Sequence, residues 1–178
     1  MAEAFSNKVQ RAAGIVTSMT GGSIGITTNL ITGISTTNVA VNDLVDNGNY
    51  ILGTKVTNIG VSSVTCDRDS TNTAAATAQN VKFLGPTTAY TSTSTKSILV
   101  GGTFCNNTGS SVNLTVQVWD NSVSTEVALA GKIPVPNGSS FVITDAGKTV
   151  LESSDEVRIY CDSNNAIDAT LSILTGVS

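Results

Sequence analysis

The sequence contains no histidine. That absence removes the commonest general base, the commonest nitrogen ligand for metals, and every Ser-His-Asp or Cys-His arrangement. Charge is also scarce: 12% of residues are Asp, Glu, Lys or Arg, against roughly 25% in an ordinary soluble domain. The nine basic residues form no cluster and the formal net charge is −4. A nucleic-acid surface needs a concentrated positive stripe, so no nucleic-acid partner is expected. No apolar run reaches the ~18 residues that span a bilayer, so no membrane partner is expected. The opening Met1-Ala2-Glu3-Ala4-Phe5 lacks the basic and apolar stretches of a secretory signal, which predicts synthesis and assembly in the cytoplasm. Cys66, Cys105 and Cys161 are far apart and odd in number, which is neither a disulfide framework nor zinc spacing. Cys161 follows Val157 and Ile159 at period two and reads as a small, reduced core residue. No metal and no cofactor is expected, and no enzymatic activity.

The place of charge is taken by Ser, Thr, Asn and Gly, and the mean hydropathy is +0.17. Two readings fit. One is a β-rich protein with a Thr/Ser-covered surface. The other is a subunit that buries much of its surface against copies of itself, because charged residues are depleted in interface cores.

Along the chain the pattern changes twice. Residues 2–13 read as a short helix, with Phe5, Val9 and Ala12 or Ala13 on one face and Gly14 as its stop. Such a helix is too short to stand alone in water, so its apolar face needs a partner. It packs on its own domain or docks as an arm on a neighbour, with Phe5 and Val9 as anchors and Ala12 allowing close approach.

From Ile24 to Leu84 short strands are predicted, at Ile24–Ile26, Leu30–Ile31, Asn38–Val41, Tyr50–Leu52, Lys55–Ile59, Ser63–Cys66 and Asn80–Leu84. Gly, Asn and Asp turns separate them, which suggests a small barrel or rolled sheet. Asp43, Asp46, Asp67 and Asp69 fall in these turns, where Asx turn chemistry explains them better than calcium does. Gly85-Pro86 is the predicted boundary.

Beyond it the strands are clearer. Ile98–Cys105 and Val112–Trp119 are expected to pair across Asn106–Ser110, followed by strands at Glu126–Ala130, Ser140–Thr144, Glu156–Cys161 and Ala166–Leu174. Alternation is strict in the last, and the spacing is that of an antiparallel sandwich. The expected fold class is therefore all-β. Its parts are an N-terminal arm with a short helix (1–23), a small β-barrel-like module (24–85) and a C-terminal antiparallel β-sandwich (86–178).

Several motifs carry a resemblance. Ile133-Pro-Val-Pro136-Asn-Gly-Ser-Ser140, Gly147-Lys-Thr-Val-Leu151-Glu152 with Asp155, and the closing Ala166–Leu174 resemble a β-sandwich module of tailed-bacteriophage virion proteins. Ala4-Phe5-Ser-Asn-Lys8 resembles the opening of short phage structural proteins built from this sandwich. Gly33–Ser35, Val39–Val45, Ile51–Gly60 and Ser63–Thr65 resemble a small β module of phage tail and surface proteins, although the turn Asp46–Tyr50 departs from its usual Gly/Pro-rich form. The resemblance implies a non-enzymatic virion subunit of the neck, collar or tail, or a capsid decoration. Its expected partners are copies of itself, as a homo-oligomer, and other phage structural proteins. It carries over no catalytic residue. The rival expectation is a receptor- or glycan-binding module on a fibre, for which only Trp119, Tyr50, Tyr90 and Tyr160 are available beside the phenylalanines.

Overall fold

A computed structural model describes residues 3–93 and 96–177, with the backbone alone at 145–148. The described residues form strands and turns, and no helix. In chain order the strands are β1 (Ala4–Ala13), β2 (Ile15–Ile24), β3 (Leu30–Thr32), β4 (Leu44–Asp46), β5 (Val56–Ile59), β6 (Ser63–Cys66) and β7 (Ala76–Gly85). They continue as β8 (Thr87–Thr91), β9 (Lys96–Asn106), β10 (Val112–Asp120), β11 (Thr125–Val135), β12 (Ser140–Glu152), β13 (Glu156–Cys161) and β14 (Ile167–Thr175). The chain divides into two compact units, one of Met1–Gly14 with Thr87–Ser178 and one of Ile15–Pro86.

The first unit is a sandwich of two four-stranded sheets, β1-β14-β9-β12 and β11-β10-β13-β8. Its antiparallel pairings are nested about a single turn: β10 with β11, β9 with β12, β8 with β13, and β1 with β14. One long ribbon, folded at the β10–β11 turn and rolled so that successive pairs alternate between sheets, is a jelly roll. Alternation supplies the core. Ile167, Ala169, Leu171 and Ile173 of β14 meet Leu114, Val116, Val157, Ile159 and Phe104, all buried.

Two buried polar residues hold the ends of the roll. Asn106 donates to the carbonyls of Ser110, Val135 and Pro136 and accepts from the Thr108 amide and hydroxyl. Asp155 accepts from the amides of Asn121 and Glu152. Asp155 and the Pro136–Ser140 turn belong to the motifs that carried the resemblance. Gly147 and Lys148 of the same motifs lie where side chains are not described.

Two expectations are corrected here. The segment 2–13 is not a helix: Ala4–Ala13 is a strand paired with β14 along nearly its whole length, and Ala2 lies outside the described residues. The 1–23 arm therefore divides at Gly14, its first part entering the sandwich and its remainder the second unit. The pairing of Ile98–Cys105 with Val112–Trp119 is also absent, because β9 and β10 lie in different sheets. Asn106 turns the chain from one sheet to the other instead of closing a hairpin, and the Asn107 amide bonds to Ala166 O.

The second unit is a single sheet in the order β4-β7-β2-β3-β6-β5. A bridge between Leu44 and Lys55 joins its two edges, helped by Val45 N–H to Thr54 O at 2.8 Å and Val56 N–H to Asp43 O at 3.0 Å, so the sheet closes into a small barrel. Ile24, Ile31, Val56, Val64, Val81 and Phe83 fill it. The predicted strands at Asn38–Val41 and Tyr50–Leu52 are turns. Asn38 and Asn42 have φ of 62° and 75°, a left-handed conformation that Asn tolerates. The predicted strand Ile24–Ile26 meets a strand only at Ile24, the last residue of β2, and Ile26 lies in a turn; the rest of β2, and β4, lie outside the predicted strands. The unit begins and ends as neighbours, since Ile15 pairs with Gly85.

Candidate assembly surface

β1 is an edge strand, and its pattern runs opposite to what an isolated sandwich requires. Ser6, Lys8 and Gln10 pair with Ile173, Leu171 and Ala169, which are core residues, so the polar side chains of β1 take the core-facing side. Phe5 and Val9 take the outer side and are 69% and 75% exposed. Lys8, with Thr88, Tyr90 and Thr175, lines an open groove of about 360 Å³ between β1 and β8. A charge on the inner side of an edge strand is a recognised guard against a further strand adding there. The two predicted anchors Phe5 and Val9 thus share a face, but through the period of two of a strand. Ala12 does not join them. It sits in a bulge with φ of 55°, and its amide donates to Asp168 Oδ1 at 2.7 Å.

The register extends this face across the whole sheet. Phe5 lies opposite Leu174, Leu174 opposite Ile98, and Ile98 opposite Val150. These four form an apolar row over every strand of the sheet, with half-buried Leu174 and Ile98 at its centre and Val150 51% exposed at its far edge. The next row is Asn7, Ser172, Gly101 and Thr144, and the one after is Val9, Thr170, Thr103 and Val142. No residue in these rows is charged. Sequence reasoning found Phe5 and Val9 and missed Leu174, Ile98 and Val150. Leu174 was visible as an apolar residue at a polar position of β14's alternation; the cross-strand row exists only once register is known.

The outer face of the other sheet is different. Arg158 of β13 binds Glu126 of β11 and, at 2.7 Å, Glu156 Oε2, and lies 4.4 Å from the centre of the Trp119 ring. Tyr160 donates to Glu126 at 3.1 Å, and Thr88 donates to Glu156 Oε2 at 3.1 Å. Gln117 is buried beside Arg158 on the neighbouring strand, and its Oε1 has no hydrogen-bond partner. Burial acts to lower the Arg158 pKa, but its bonds to Glu156 and Glu126 raise it overall and keep it charged. Burial, with the negative charge of Glu126, pushes the Tyr160 phenol up. This layer ties β11, β13 and β8 together. Tyr160 is buried in this layer and Arg158 covers one face of Trp119, while Tyr90 is buried in the sandwich core and Tyr50 in the barrel.

Among the described residues no three His, Cys, Asp or Glu side chains converge as metal ligands. Cys161 is buried with its thiol 3.3 Å from Ala13 O, Cys66 is buried in the barrel, and Cys105 is half-buried on the outer side of β9. A second groove of about 260 Å³, lined by Ile24, Thr28, Leu30 and Ala76, lies on the barrel. Among the described residues no helix is long and apolar enough to cross a membrane. No protein family, no curated protein and no solved structure matches the chain.

Proposed function

We propose that the chain is a non-enzymatic structural subunit of a tailed-phage virion, at the neck, collar or tail or as a capsid decoration. It assembles by burying surface against copies of itself and neighbouring virion proteins, after synthesis in the host cytoplasm. One observation carries this reading: β1 turns Phe5 and Val9 outward onto a sheet face whose three rows, from Phe5–Val150 to Val9–Val142, carry no charge, and puts Lys8 on the inner side. Leaving a large apolar side chain in water forgoes about 1.5–3 kcal/mol that its burial would contribute. A strand with inverted polarity is stable in that sense only when something covers its outer side.

The jelly roll supports the reading, being an architecture of viral capsid proteins, although it also serves lectins and cupins. The receptor or glycan alternative needs a cluster of exposed aromatics for sugar stacking; with Tyr50, Tyr90 and Tyr160 buried, exposed Phe5 and half-buried Trp119, one face of which Arg158 covers, stand on different sheets, so the assembly reading is favoured. The test is proteomic and antibody labelling of purified particles from a phage that encodes the chain. The subunit reading expects a fixed stoichiometry, with release only on particle disassembly. Absence from washed particles would overturn it.

A further inference from the structure

Resting on the assembly reading, we propose that the outer face of the β1-β14-β9-β12 sheet is a contact between two copies of this chain, packed face to face about the row Phe5, Leu174, Ile98 and Val150. Three observations favour a second copy over another occupant.

The first is charge. The chain carries a net charge of −4, so a contact between copies must keep like charges apart, whereas docking a strongly charged partner calls for complementary charge on the face. The three central rows have none. Among the residues whose side chains are described, charge on this face stands at the ends of the rows, with both signs at each: Lys96 opposite Glu152 at one end, Arg11 and Asp168 at the other; Asp145 and Lys148, one of each sign, belong to the stretch of β12 between Thr144 and Thr149, where the backbone alone is described. Neither end repels its own copy.

The second is symmetry. A twofold contact requires a self-complementary surface. The apolar row runs across all strands, so a twofold axis parallel to the strands sets this row on itself, the Phe5 edge of one copy over the Val150 edge of the other.

The third is area. β1 has 10 residues and is about 34 Å long, and four strands are about 19 Å wide. The face therefore offers roughly 650 Å² per copy and roughly 1,300 Å² per pair, within the ~1,200–2,000 Å² of specific, stable interfaces.

The test is sedimentation velocity on the full chain over a concentration series, comparing wild type with Phe5→Lys, Val150→Lys and Val127→Lys. All three positions are exposed, so the fold tolerates the lysine, and thermal melts verify this. Val127 lies on the other sheet and serves as control. The expected result is a self-associating wild type, a Kd raised at least about tenfold by Phe5→Lys and by Val150→Lys, and no change with Val127→Lys. An assembly indifferent to both substitutions, or broken equally by Val127→Lys, overturns this face and leaves the structural-subunit reading standing. A wild-type chain that is monomeric up to ~100 µM overturns the inference. If that chain is present in particles, only the second-copy contact falls; if it is absent from them, the reading of function falls as well.

Discussion

Two hydrogen bonds make Asp155 a fixed point of the sandwich. Its carboxylate receives the amides of Asn121 at 2.9 Å and Glu152 at 2.8 Å while buried. Asp155→Ala strands both amides and is expected to cost about 2–4 kcal/mol, read by urea denaturation; Asp155→Asn, which retains one acceptor, should cost less. Asp43 of the barrel is a carboxyl group for which burial dominates. Burial raises its pKa, only partly offset by the Ala40 amide that it accepts at 2.8 Å. The native state keeps this proton at a pH where the unfolded chain has lost it. Stability from this group is thus full below the unfolded pKa and is lost as pH rises through the higher native one. Asp43→Asn keeps an oxygen for Ala40 and removes the charge. It should stabilise the barrel at neutral pH and lose that advantage below about pH 3, a contrast visible in paired urea titrations. Thiol accessibility divides the cysteines similarly. Burial pushes Cys66 and Cys161 up to about 11, so at mildly alkaline pH a maleimide should modify Cys105 first and reach the other two only in denaturant.

At the scale of elements, β1 carries the plainest lesson. Phe5, Val9 and Ala13 are spaced by four, a spacing that fits one face of a helix and equally one face of a strand. Local pattern cannot separate the two in so short a segment. An isolated helix of this length is marginal in water, whereas the open edge of β14 offers a full ladder of hydrogen bonds. The ladder decides the conformation. Removing residues 1–13 should therefore lower the melting transition of the sandwich, since it bares β14 and takes buried Ala13 from the core. The joint that follows is equally constrained. Gly14 has φ of +126°, and a Cβ there would lie 2.3 Å from Ser163 O and 2.5 Å from Cys161 Sγ. Gly14→Ala is expected to cost more than about 2 kcal/mol, through backbone strain and the clash together; a fall in the denaturation midpoint of the sandwich would register it.

The whole molecule is one domain inserted into another. The barrel leaves the sandwich after β1 and returns at β8, and the Gly14 amide lies 3.2 Å from Thr87 Oγ1. Because Ile15 pairs with Gly85, the ends of the insert are also close together. Residues 15–86 expressed alone should melt cooperatively, and residues 1–14 joined to 87–178 by a short glycine linker should fold as a jelly roll. Calorimetry of the two pieces checks this: an excised barrel with no cooperative transition would show that the insert depends on its host.

The sequence by itself determined the class of structure. Period-two alternation at Leu114–Val118 and Ile167–Ile173, Asx and Gly turns at close spacing, and scarce charge specify strands with one buried face, because alternation and turn chemistry are local properties. The sequence also placed Phe5 and Val9 on a common face. It did not show that β1 is a strand of the sandwich, that β9 and β10 part into different sheets, or that Phe5, Leu174, Ile98 and Val150 stand in one row. Those are facts of pairing between segments up to the full chain length apart. Such pairing is chosen by which edges remain open once the nested ribbon has rolled up, so it was decided in the tertiary structure alone.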